Sequence, residues 1–253
     1  MAIEGREHPL ARPRRPLLQF HQLQHRRLQP HRRRARRVAH QGQRLRLREF
    51  GWRDVHALVQ MHRDPRVRAH LADDVPLDDA RVAHQFVENM RHFYRLHEGT
   101  GIWCAERAQP PDAEVLADAL RARACGEIDA TFLDTLVQPR WSFCGWFSLV
   151  HLSDDLHTLE IGARLTPQAW GGTLAIDGGE WLLAHAFRTL GQSHVLGHCS
   201  PANRSAAHCL QVLGFQPKGL APYNGGQALR FGLCQTDWAA WHAQPRRERQ
   251  RAV

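Results

Sequence analysis

Between residues 159 and 175 the chain reads LEIGARLTPQAWGGTLA, and the helical run AIDGGEWLLAHAFRTLG carries it onward. Residues 159–165 alternate as a strand does, 166–168 form a tight polar turn, and Gly171 with Gly172 opens the helix. A helix entered this way leaves its first backbone N–H groups without intrahelical acceptors. Glycines let those groups approach a ligand closely, and the helix dipole favours negative charge there. The stretch predicts an α/β fold with an anion site, suited to a diphosphate, at a strand-to-helix turn.

Charge narrows the setting. The formal net charge is +9 over 253 residues, yet residues 1–48 hold fourteen Arg against only Glu4 and Glu7, whereas 49–253 hold 20 basic and 23 acidic groups. A basic arm attached to a mildly acidic body differs from a basic domain, and the body makes no case for nucleic acid. Residues 1–43 are low in complexity and too poor in periodic apolar residues to offset chain entropy, so they read as a disordered arm. Such an arm fits a weak nucleic-acid or ribosome contact, or no specific role. The six cysteines form no CxxC pair and suit a reducing, cytoplasmic setting. No apolar run reaches the ~18 residues of a membrane span, and the first residues lack the apolar segment of a secretory signal.

A single domain is expected over 44–241, followed by a polar tail over 242–253. Residues 44–50, RLRLREF, alternate as a half-buried strand. A helix over 52–63 is closed by Asp64-Pro65, since the residue before proline avoids the helical region. A second amphipathic helix ends at Leu96, with Asp78 as its cap, and GIWCAER is a strand. Residues 108–141 read as an insertion between two hairpin strands, containing one short helix that Asp112 caps and Gly126 stops. Residues 143–152 and 157–165 are strands about a turn at Asp154-Asp155. The helix over 172–190 ends at Gly191. Then come a strand over 194–200, an Asn-capped helix and a hairpin about Asn224-Gly225.

Four segments now carry a family resemblance: RLRLREFGWRDVHALVQMHRDPRVRAHL, EIGARLTPQAWGG, NRSAAHCLQVLGF and LRFGLCQTDW. In this order they resemble the GNAT superfamily of acyl-CoA-dependent N-acetyltransferases, and within it the branch that acetylates ribosomal-protein N-termini, the Rim type. The resemblance implies a mixed, mostly antiparallel twisted sheet flanked by about four helices. That sheet would splay between its fourth and fifth strands, here 158–165 and 194–200. It implies acetyl-CoA as cosubstrate and no metal. Pantetheine would meet the backbone at Ala163 and Leu165, and the pyrophosphate would meet Gln168, Trp170, Gly171, Gly172 and Thr173. Asn203 would touch the cofactor as well as cap its helix. Thr173 stands where the family keeps a small residue, Ala206 where the Rim branch often has Ser, and Leu210 where many members have a Tyr acid.

Acetyl transfer to an amine requires a neutral amine, a polarised thioester and, where needed, a proton for the thiolate. Glu160 is the candidate base: alternation turns it away from Leu159 and Ile161, and similar enzymes hold a Glu there. Its competing reading is an exposed strand carboxylate. Ser205 is the candidate proton donor, or a solvated first-turn serine. His151 and His157 are alternative bases. His194 and His198 are spaced HxxxH, but on a strand that spacing does not bring two metal ligands together. Trp103, Trp141 and Trp146 belong to the core or line an acceptor pocket. The expected activity is direct acetyl transfer from acetyl-CoA to a primary amine, a protein N-terminus or a small molecule, in a ternary complex by a monomer or homodimer. Two other readings stay open. One is an acyl-CoA-binding protein without transferase activity, and the other is a ribosome- or RNA-associated factor working through its arm.

Overall fold

Alternation along the central strands decides what covers each side of the sheet. Trp146 faces a cluster with Phe50, Leu58, Met90 and Phe93, while its neighbour Phe147 faces another with Leu182, Leu183, Phe187 and Phe231. Fully burying side chains of this size contributes about 1.5–3 kcal/mol each, so these two cores fix which helix lies on which face.

The computed structural model describes residues 38–71, 75–152 and 155–253, and of 155–157 only the backbone. Residues 1–37 of the arm and the turn at Asp154 lie outside the described residues. The chain runs β1 (Val38–Gln41), β2 (Leu45–Arg48), α1 (Val55–Arg63), α2 (Pro65–Arg68), α3 (Ala80–Leu96), β3 (Gly101–Gln109), α4 (Ala113–Ala124) and α5 (Ala130–Val137). It continues with β4 (Arg140–Leu152), β5 (Asp155–Leu165), α6 (Leu174–Ala184), β6 (His194–Cys199), α7 (Arg204–Val212), β7 (Gln216–Tyr223), β8 (Gly226–Cys234), α8 (Gln235–His242) and α9 (Arg246–Arg251). The strands form one sheet in the order β1-β2-β3-β4-β5-β6-β8-β7. Its one parallel pair is β5 with β6, and the rest are antiparallel. The mixed, mostly antiparallel sheet is the expected one. Its extra edge strand β1 makes the expected fourth and fifth strands β5 and β6.

The helices α1 and α3 cover one face, and α6, α7 and α8 contribute to the core on the other. Nine helices stand among the described residues, where the sequence suggested about four. The insertion holds two of them, α5 as well as α4. Asp129 caps α5, accepting from Phe132 N at 2.7 Å, and no residue of α5 is buried. The cap of α3 is Asp79, which accepts from Arg81 N at 2.7 Å and Val82 N at 3.1 Å. Asp78, the expected cap, instead pairs with Arg68 at 3.0 Å. The polar tail includes α9, whose Arg249 is buried and meets Glu180 at 2.6 Å.

On the α1/α3 side of β2 and β3 lies a buried ion network. Arg48 NH1 and NH2 donate to Asp54 Oδ2 at 2.7 Å and Oδ1 at 2.8 Å, and NH2 also donates to Glu106 Oε1 at 2.6 Å. Arg46 Nε donates to Glu106 Oε2 at 2.8 Å, and Gly51 N donates to Asp54 Oδ2 at 2.8 Å. Burial opposes charge on Glu106, but the Arg48 and Arg46 guanidiniums outweigh it and hold the carboxyl below its usual range.

Candidate active site

The sheet opens at one seam. β5 pairs with β6 only at Leu159–Val195, Glu160–Leu196 and Ile161–Gly197. Beyond Ile161, β5 stays with β4 as far as Leu165, and Thr166 N donates to Cys144 O at 2.9 Å. β6 meanwhile stays with β8 to its last residue, Cys199. Each strand keeps its outer neighbour, so the separation falls between these two alone. Ala163 and Leu165 lie on the stretch of β5 that has left β6, and Ala163 is exposed. A strand edge free of its neighbour is where an extended amide-bearing chain can pair.

Beyond β5, Pro167–Ala169 makes one 3₁₀ turn. Ala169 N donates to Thr166 O at 2.8 Å and Trp170 N to Pro167 O at 3.2 Å. The Trp170 indole Nε1 donates to Leu165 O at 2.9 Å, although 48% of the residue is exposed. Both N–H groups of Trp170 are thus engaged within the chain, and the residue staples the loop to the end of β5. Gln168 O accepts from Arg107 NH1 at 2.7 Å. Gly171 takes φ +73°, a left-handed conformation suited to glycine, and the space a Cβ would fill at Gly172 is open. Thr173 is the N-cap of α6, yet its side chain caps no helix N–H. Its hydroxyl donates instead to Asp177 Oδ2 at 3.3 Å. The open space at Gly172 and the N–H groups left uncapped by Thr173 suit an anionic group such as a diphosphate.

Asp177 would repel an anion at that helix end, but arginines offset its charge. Arg246 reaches it at 2.7 Å and Arg44 at 3.0 Å. Arg246 also binds Glu180 beside Arg249, and these two overcome burial to hold the Glu180 carboxyl below its usual range. Farther along α6, a Cβ at Gly178 would lie 2.3 Å from the Phe147 ring, and one at Gly179 would lie 2.4 Å from Leu213 Cδ1. Both glycines let α6 sit close on β4 and α7, which offsets their poor helix propensity.

Glu160 lies on the face that carries Trp146 and Val150, opposite Leu196 of β6. Its Oε1 accepts from Tyr223 Oη at 2.8 Å and lies 3.1 Å from His198 Nδ1. The His198 and Tyr223 rings stack with centroids 4.5 Å apart and planes at 22°. The Glu160 side chain is 12% exposed and that of His198 4%. To donate to a Glu160 carboxylate, His198 must carry a proton on Nδ1. Tyr223 ends β7 just before Asn224 (φ +47°) and Gly225 (φ +80°), whose left-handed pair makes the tight hairpin turn.

Sequence reasoning weighed His198 only as half of an HxxxH and did not single out Tyr223. Alternation along β6, which puts His194, Leu196 and His198 on one face, was the available signal for the histidine. His151 stands opposite Leu159 in register, on the other face from Glu160, and the side chain of His157 lies outside the described residues. Asn203 caps α7, accepting from Ala206 N at 3.0 Å, and Ser205 is exposed on the first turn. Leu210 is buried on the opposite core, where its Cδ2 lies 2.7 Å from the position a Cβ would take at Gly197. Trp103 and Trp146 are buried, and Trp141 lies under Arg46, 4.8 Å from ring centroid to guanidinium. Burial pushes the Cys144 thiol up to about 12 and raises those of Cys104, Cys199 and Cys209, so none of the four is a ready thiolate. No group of three or more metal-ligating side chains occurs among the described residues, nor any helix long and apolar enough to cross a membrane.

Residues 44–216 match the family described as an acetyltransferase (GNAT) domain. Solved structures share the fold at low identity. RimL, a ribosomal L7/L12 α-N-protein acetyltransferase, is 13% identical with a TM-score of 0.56, covering 82% of this chain and 99% of its own. The ribosomal-protein-S5-alanine acetyltransferase of Vibrio fischeri is 14% identical with a TM-score of 0.54, covering 80% and 99%. The spermidine N-acetyltransferase of Vibrio cholerae, in complex with CoA and spermine, is 14% identical with a TM-score of 0.51, covering 77% and 98%.

Proposed function

Because the chain belongs to the GNAT acetyltransferase family, we propose that it moves an acetyl group from acetyl-CoA to a primary α-amine, such as a protein N-terminus, by direct attack in a ternary complex. The diphosphate lies on the loop amides of Gly171, Gly172 and Thr173, with Gln168 beside them. Pantetheine runs along the β5 edge at Ala163 and Leu165, towards the seam where β5 leaves β6. Asn203, at the start of α7, adds a cofactor contact to its capping role.

Glu160 takes the proton from the acceptor amine. The nitrogen lone pair then closes on the thioester carbonyl, and the C–S bond breaks with its electron pair on sulfur. Ser205, the one hydroxyl on α7, is the donor proposed for that thiolate, and it regains its proton from the nitrogen, which sheds its second proton as the amide forms. An α-amine of pKa about 7.7–8.0 needs far less help than a lysine at about 10.4, so one carboxylate suffices. The raised thiols of the buried cysteines support direct transfer over a thioester on the enzyme. Neither the acyl-CoA-binding reading nor the arm-based reading gains a specific supporting observation.

The observation that carries this reading is Glu160 held at the mouth of the seam by two hydrogen bonds. The test is release of free thiol from acetyl-CoA on adding short peptides with free N-termini, alongside polyamines and Nα-blocked lysine peptides. Saturable release with the free N-termini, matched by an added acetyl group in mass spectra of the peptide, is expected. Release no faster than hydrolysis with every amine would refute it.

A further inference from the structure

Two donors from different strands, His198 Nδ1 on β6 and Tyr223 Oη on β7, converge on one oxygen, Oε1 of Glu160. Among the described residues Oε2 has no partner. We infer that His198 and Tyr223 are positioning residues that hold Oε1 and so reserve Oε2 as the atom that receives the acceptor's proton, an inference that rests on the acetyl-transfer reading. A carboxylate is symmetric, and a free one turns about its terminal bonds. Two hydrogen bonds to a single oxygen remove both freedoms and make the oxygens inequivalent.

Exposure assigns the roles within the cluster. Tyr223 stacks on His198 and leaves that side chain 4% exposed, whereas the Glu160 side chain is 12% exposed. The acceptor therefore meets Glu160, and His198 acts through it. The stack also orients the imidazole, whose Nδ1–H tautomer the carboxylate selects. The proton balance is simple: an N–H bond of the amine breaks and an O–H bond forms at Oε2. That proton passes to solvent once the amide has formed, while His198 and Tyr223 keep theirs throughout.

The test is a double-mutant cycle on the full chain, with Tyr223→Phe and His198→Leu made separately in the native and the Glu160→Gln backgrounds. In the native background each should lower kcat about tenfold, the scale of a misplaced proton acceptor, with the KM for acetyl-CoA unchanged. His198→Asn, whose amide nitrogen can stand near Nδ1, should recover most of that loss. In the Glu160→Gln background the extra loss should vanish. An equal loss in both backgrounds, or a loss expressed only in the acetyl-CoA KM, would overturn the inference. Imidazole nitrogen NMR at neutral pH reads the clamp without turnover: His198 should be the Nδ1–H tautomer, shifted by Tyr223→Phe and by Glu160→Gln. An Nε2–H tautomer overturns the clamp even if the enzyme is active. An inactive native enzyme with the Nδ1–H signal intact would instead count against the acetyl-transfer reading alone.

Discussion

Two carboxylate clusters sit on the same face of the sheet and are wired differently. At the closed end, Asp54 and Glu106 each have both oxygens engaged by arginines or a backbone N–H. At the open seam, Glu160 has one oxygen doubly engaged and the other without a partner among the described residues. Buried charges persist when they are fully paired, so the closed cluster ties β2, β3 and the start of α1 together. A carboxylate fixed in place with one free oxygen stabilises little and is available to a proton. The difference lies in neighbouring strands rather than in residue type: β2 and β3 are fully paired, while β5 and β6 part after Ile161.

The largest test of that contrast removes a partner from the closed cluster. Asp54→Ala removes one of the two carboxylates that hold the buried Arg48 guanidinium, leaving Glu106 alone, and should lower unfolding free energy by about 3 kcal/mol in a denaturant melt; a loss under about 1 kcal/mol would contradict the network's role. Glu160→Gln should do the reverse. Turnover should fall at least about 100-fold, with stability changed by less than about 1 kcal/mol, and untouched turnover would remove Glu160 from the chemistry. Between these ends, Gly178→Ala drives a Cβ into Phe147 and should cost about 1–3 kcal/mol, measured by the same melt. The smallest effect is in pH. Glu106 is held below its usual carboxyl value, so its contribution is fully present above about pH 4.5 and lost as pH falls through the lower folded value. Glu106→Gln should flatten the fall in stability below that pH, and an unchanged slope would assign the acid sensitivity elsewhere.

The strand, the glycine turn and the helix behind it were legible because alternation and left-handed glycine positions are local signals, as was the cap at Asn203. The partners of Glu160 were not. His198 and Tyr223 meet across β8, which lies between β6 and β7, and no local pattern reports that order. Gly178 and Gly179 read in sequence as weak points of a helix, and only the contacts with Phe147 and Leu213 show why they are small. Helix α5 was hidden because none of its residues is buried. Helix α9 was hidden because arginine ion pairs to α6 hold it, in a stretch that reads as a polar tail. The choice of Asp79 over Asp78 as cap turns on a one-residue difference in where α3 begins, which propensity does not resolve.

The central claim, that the seam and its glycine loop receive acetyl-CoA, is tested most directly by a thermal melt of the native chain and of Gly172→Glu with and without acetyl-CoA. At 100 times its dissociation constant the ligand should stabilise the native chain by about 2.7 kcal/mol. Because the space beside Gly172 is open, Gly172→Glu should melt near the native temperature when alone and show no ligand shift, its carboxylate facing the diphosphate. No shift in the native chain, or an equal shift in Gly172→Glu, would contradict the account.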